Sequence, residues 1–196
     1  MTKVLRAFKP VVALVMLAAF PAVAWSNASV PEHHYVLRSE AAGTPTQGGA
    51  LLFTGKRIVI PVVAVEPGKP DTTFEVHSEV DPTLIVWAGA QLRFMLGNAD
   101  AGMPHGLDVT AHAPPYPQTL DLSLMKRTPR DVPMHGARTL EQAVAVTGLV
   151  KPATGRGMQI AVRSTGWFSL GPGIYYYVCP VPGHARRGMY GKIIAR

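Results

Sequence analysis

From Leu51 onward the chain is a succession of short, apolar, largely β-branched runs: "LLFTGKRIVIPVVAV", "TTFEVHSEV", "TLIVWAGAQLRFMLGN", "HGLDVTA", "MQIAVRSTGWFSL", "GIYYYVCPV" and "MYGKIIAR". Gly and Pro, 19 and 18 of them, fall between these runs, a pattern that favours many strands and turns over long helices. Thr54-Gly55 and Ala88-Gly89 split two of the runs, and Pro61 suits an edge or a bulge because proline cannot donate to a ladder. Seven or eight strands in one chain predict an all-β, antiparallel β-sandwich.

The 196 residues are enough for one substantial core and do not require a second. Three segments are expected. In the first, residues 1–24, Lys3, Arg6 and Lys9 precede the apolar run "VVALVMLAAFPAVAW", and Ala22-Val23-Ala24 offers the small residues of a cleavage site. That is the pattern of an export signal; an uncleaved membrane anchor over residues 10–25 is the alternative. Residues 25–49 are polar and without period, and are expected to be a linker or an irregular extension packed on the body. Residues 50–196 form the sandwich, with a proline-rich insertion over 113–157 that holds a short helix at 140–146.

Without residues 1–24 the chain loses three of its 19 basic residues and no acid, so the formal charge falls from +7 to +4. The remaining basic residues are scattered, which does not suit a nucleic-acid track. A single cysteine, Cys179, cannot form an intramolecular disulfide. It is an inert buried thiol, an intermolecular link, a nucleophile or a metal ligand.

Its neighbours favour a metal. The end of a strand delivers Cys179 into "CPVPGHARRGM", in which His184 and Met189 follow at the spacing Cys-x4-His-x4-Met. A thiolate, an imidazole and a thioether are donors that copper accepts in both oxidation states, and a His2Cys site with a weak axial Met is an electron-transfer geometry. The second histidine must come from elsewhere. His105 lies between two strand-like runs, whereas His112 and His135 sit in proline-rich sequence, His77 in an alternating strand, and His33 and His34 in the irregular N-terminal stretch. Taken singly, each residue has an ordinary structural reading: a small buried hydrophobe, a core Met, a solvated His. Their joint placement on one Pro/Gly-rich loop outweighs it.

The same stretch, "GIYYYVCPVPGHARRGMYGKIIAR", resembles the C-terminal end of the rusticyanin-like blue copper proteins within the cupredoxin family. The segments "FTGKRIVIPVVAV", "TTFEVH", "PTLIVWAGAQLRFMLGN" and "PHGLDVTAHAPPY" match that family in the same order. The resemblance implies a cupredoxin-like Greek-key sandwich and one type 1 copper cycling between Cu(I) and Cu(II), with His105, Cys179, His184 and Met189 as ligands. It implies a periplasmic electron carrier between cytochromes c and a terminal oxidase, with electrons leaving through an exposed edge of His184. Pro180, Val181, Pro182, Ala185, Met103 and Pro104 would form an apolar rim there. Three positions depart from the family: Gly106 replaces a hydrogen-bonding Asn or Ser, and Arg186 and Arg187 replace small uncharged residues. A copper chaperone and an oxidase-associated copper subunit are the competing readings.

Overall fold

The computed structural model describes residues 28–66, 68–122, 138–140, 143–154 and 159–196. The export segment over 1–24 and His135 lie outside the described residues.

Two sheets pack face to face. One runs in the order Ala28–Pro31, Gln159–Ser164, Gln91–Asn98, Arg57–Ala64, Phe74–Val76, Glu79–Val80, with Phe168–Ser169 added to Gln91–Asn98. The other runs Ala145–Val146, Asp108–Thr110, Gly173–Val178, Tyr190–Ala195, Leu84–Val86, Leu51–Leu52, Thr44–Pro45. Facing side chains of the two sheets, Ile60, Phe74, Leu92, Phe94, Leu96, Leu107, Tyr177 and Ile193 among them, are fully shut off from solvent and form one core. The Tyr177 ring stands 5.7 Å from Phe74 and 5.9 Å from Phe94, and its hydroxyl donates to the Pro82 carbonyl at 2.7 Å. Gly191 lets that ring lie on the neighbouring strand, because a Cβ there would collide with the phenol.

The sandwich is as expected from the run pattern, but its sheets are mixed rather than antiparallel. Arg57–Ala64 runs parallel to Gln91–Asn98 along its whole length, and Leu84–Val86 is parallel to both Tyr190–Ala195 and Leu51–Leu52. Pro61 is tolerated because only Val63 and Ala64 pair on the other side of its strand. The unpaired part is covered by a helix, Glu32–Glu40, in which Tyr35 and Ser39 share the buried face. The Tyr35 hydroxyl donates to the Met95 carbonyl, and Ser39 Oγ lies 3.3 Å from the carbonyls of Pro61 and Glu75. From residue 28 the extension does pack on the sandwich, but it is regular: strand Ala28–Pro31, the helix and strand Thr44–Pro45. The helix expected over 140–146 is corrected as well: Arg138–Leu140 and Ala145–Val146 are strands, the latter pairing with Asp108–Thr110.

Candidate metal centre

Strand Gly173–Val178 ends at Cys179, and the chain returns as Tyr190–Ala195 against the same strand. The loop between them is closed by its own backbone. Cys179 N–H donates to the Met189 carbonyl at 3.1 Å, His184 N–H to Val181 at 3.0 Å, and Met189 N–H to His184 at 3.1 Å. A short 3-10 turn, Ala185–Arg187, ends at Gly188, whose φ of 110° is one that side-chain-bearing residues rarely adopt. Cys179, His184 and Met189 are therefore held together by main-chain bonds before any ligand chemistry enters.

His105 comes from the other side of the chain fold. Its N–H donates to the Val150 carbonyl at 3.2 Å and its carbonyl accepts from Val150 N–H at 2.7 Å. Next along, Leu107 N–H donates to Thr147 Oγ1 at 2.9 Å. The last part of the proline-rich insertion thus acts as an edge clamp for the His105 segment, a role invisible in its composition.

The two halves meet at three atoms. Cys179 Sγ lies 3.8 Å from His105 Nδ1 and 3.6 Å from His184 Nδ1, and the three ligand atoms are all within 4.8 Å of one another. Bonds of about 2.05 Å to nitrogen and 2.3 Å to sulfur, splayed by a trigonal angle, separate S and N donors by about 3.8 Å. The donor set and its spacing fit one metal ion, and copper by donor chemistry. His105, Cys179, His184 and Met189 are all fully buried. His77 instead bonds the Ala42 carbonyl through Nδ1, and His33, His34 and His112 are exposed.

Burial sets the protonation of the donors. It pushes the Cys179 thiol up to about 11, against a partial lowering by the backbone N–H groups of Gly106 and Val181. Burial lowers His184 to about 4, helped by the nearby charges of His105 and Arg187, and it lowers His105 despite the Asp100 carboxylate beside it. Both imidazoles are thus held neutral, as metal ligands must be, while the thiol must lose its proton when metal enters.

A sulfocyanin (SoxE) domain model matches residues 52–196. The chain belongs to the sulfocyanin family. Rusticyanin of Acidithiobacillus ferrooxidans is 31% identical over 172 residues, covering 88% of this chain and 96% of that protein. Rusticyanin of Acidithiobacillus ferridurans has the same identity over 88% of this chain and 80% of its own length. Reduced rusticyanin superposes with a TM-score of 0.70 at 28% identity, covering 87% of this chain and all of the other. A 1.27 Å rusticyanin structure from Thiobacillus ferrooxidans gives the same TM-score at 27% identity, over 87% of this chain and 97% of that one. This is a rusticyanin-like cupredoxin, a type 1 copper electron carrier, with His105, Cys179 and His184 placed to bind one metal ion.

Two features of this cupredoxin were not foreseen. His184 has no exposed edge: it is fully buried, and among the described residues its Nε2 has no hydrogen-bond partner. A cavity of about 520 Å³ reaches it, lined by His184 itself with Asp71, Thr72, Asp100, Met103 and Arg187, so the rim is charged as well as apolar, and Ala185, assigned to the rim, is buried. The second feature is Asp100, whose Oδ2 lies 2.9 Å from His105 Nε2. Gly106 gains a physical reason. A Cβ there would stand 3.0 Å from Pro180 Cγ and 3.3 Å from the Gly148 carbonyl, so the two ligand loops touch through backbone and ring instead of through a side-chain hydrogen bond.

Proposed function

We propose that this rusticyanin-like protein is a periplasmic one-electron carrier, passing electrons from c-type cytochromes toward a terminal oxidase. The observation that carries the reading is the closed constellation of His105, Cys179 and His184: three donors at copper-binding separations, all fully buried, on loops fixed by backbone hydrogen bonds. A site with no donor open to solvent offers no position for a substrate, and donors that are already placed need little rearrangement between two oxidation states. Copper, when bound, supplies the one-electron couple. Met189, whose backbone is bonded to both Cys179 and His184, would supply its thioether as a fourth, weak donor.

Export is supported by the basic residues, apolar run and small residues of positions 1–24, with residues 10–25 as a membrane anchor the alternative. Among the described residues no helix is long and apolar enough to cross a membrane. The docking face is the rim of the cavity beside His184, where Met103 offers apolar surface and Arg186 and Arg187 offer charge to an acidic partner. Redox encounters of this kind bury less than about 1,200 Å² and separate quickly. Cys179 is flanked by Val178 and Pro180, not by the histidines that relay electrons to a further copper, which counts against an oxidase subunit.

Two measurements on the copper-loaded protein separate a carrier of electrons from a carrier of copper. In stopped-flow mixing with a reduced c-type cytochrome, the reading expects rapid oxidation of the haem. In parallel, a mild Cu(I) chelator is expected to remove little copper over hours. Fast copper loss with no electron exchange would establish the chaperone reading instead.

A further inference from the structure

The two histidines that face Cys179 are held in different ways. Asp100 reaches the far side of one of them, with Oδ2 2.9 Å from His105 Nε2. Its other oxygen, Oδ1, accepts the N–H groups of Gly102 at 2.6 Å and Met103 at 3.2 Å. The residue itself is anchored at both ends: its N–H donates to Asn98 Oδ1 at 3.0 Å, and its carbonyl accepts from Ala153 N–H at 2.7 Å. Asn98 is fully buried, and its amide nitrogen donates to the carbonyls of Met103, Val150 and Lys151 at 2.8, 3.1 and 3.1 Å. That amide ties the loop carrying Asp100 to the segment that clamps His105.

A carboxylate oxygen at this distance accepts, so Nε2 carries the ring proton and Nδ1, the atom 3.8 Å from Cys179 Sγ, keeps the lone pair. Resting on the copper reading, we propose that Asp100 is a positioning residue of the metal centre: it fixes the tautomer and orientation of His105 before metal binds, and its negative charge favours the oxidised over the reduced centre. Copper with its thiolate carries one more positive charge as Cu(II) than as Cu(I), and a carboxylate bonded to a ligand imidazole stabilises the more positive state. Among the described residues His184 has no such partner; its Nε2 is buried and unbonded.

The test compares the full chain with Asp100→Asn and Asp100→Ala. In the metal-free protein, long-range 1H–15N NMR of the imidazoles is expected to show His105 as the Nε2–H tautomer in the parent and as a mixture in Asp100→Ala. In the copper-loaded protein, Asp100→Asn is expected to keep the thiolate-to-copper band while the reduction potential rises. Asp100→Ala is expected to lose copper affinity about tenfold to hundredfold. A parent-like potential in Asp100→Asn together with an unchanged tautomer in Asp100→Ala would overturn the proposal and leave Asp100 a loop residue only. Should Asp100→Ala not fold, the potential of Asp100→Asn decides. If the parent shows no blue copper, the copper reading fails while the metal-free tautomer still decides whether Asp100 sets His105.

Discussion

The two sides of the centre are built on different principles. His105 is buttressed from behind by a carboxylate, pinned by paired main-chain bonds to Val150, and enclosed by the clamp at 145–150. His184 sits on a loop of nine residues between Cys179 and Met189, with no bond at its far nitrogen among the described residues, and it lines a cavity. One side is backed by polar contacts and the other borders a cavity. The lesson is that burial alone does not define a ligand's role; what stands behind the ring does.

The strongest way to break this comparison is to remove each ring. His184→Gly opens space next to an existing cavity, so free imidazole is expected to enter and restore the visible band of copper-loaded protein. His105→Gly leaves a space walled by Asp100 and the clamp, and restoration is expected to be poor. Equal rescue of the two variants, read by titrating imidazole against absorbance, would erase the distinction.

A smaller effect tests how the two sides touch. Gly106→Ala places a Cβ against Pro180 and the Gly148 carbonyl, and the strain is expected to cost about 1–3 kcal/mol in chemical denaturation of the metal-free chain. A stability equal to the parent's would show that the two loops are not in firm contact there.

The pH dependence of stability separates the site from the sheet below it. Burial pushes Glu75 and Asp81 up to about 7, so the folded chain binds protons that the unfolded chain has released between about pH 4 and 7. Folding is therefore favoured as pH falls through 7 toward 4, and that contribution is lost as pH rises above the folded values. The lowered His105 and His184 act in the opposite sense in the metal-free chain below about pH 6.5. The comparison of parent with Glu75→Gln isolates the carboxyl. Denaturation midpoints at pH 5 and pH 8 are expected to differ more in the parent, toward acid stability, and an identical pH profile for the two would contradict this. The smallest effect concerns the His184 side and the docking proposed for it. Arg186→Ala with Arg187→Ala is expected to slow reduction by a c-type cytochrome several-fold at low ionic strength and little at high salt; rates that ignore salt would remove steering from the account.

Much of the sandwich could be read from the sequence because β-branched runs with Gly/Pro breaks specify strands locally. Which strands run parallel could not, since the alternation of Arg57–Ala64 and Gln91–Asn98 carries no direction. The Glu32–Glu40 helix was missed because it is short and only Tyr35 and Ser39 of its nine residues are buried. At the centre, Cys179 and His184 were legible as soft donors on one loop, and His105 by its position between strands. Asp100 was not: an aspartate in "NADAGMP" reads as an ordinary turn former, and only the fold turns its second oxygen toward a ring five residues on. The surroundings of His184 were misread for a related reason, since Asp71 and Thr72, which line the same cavity, lie more than a hundred residues away in the chain.

The central claim is that Cys179, His105 and His184 form one copper centre for electron transfer. Adding Cu(II) to the purified chain and recording visible and EPR spectra tests it most directly, with Cys179→Ser alongside. The account predicts an intense thiolate-to-copper band with narrow copper hyperfine splitting in the parent, and no such band in Cys179→Ser. A colourless protein, or one with ordinary square-planar copper signals that persist in Cys179→Ser, would contradict it.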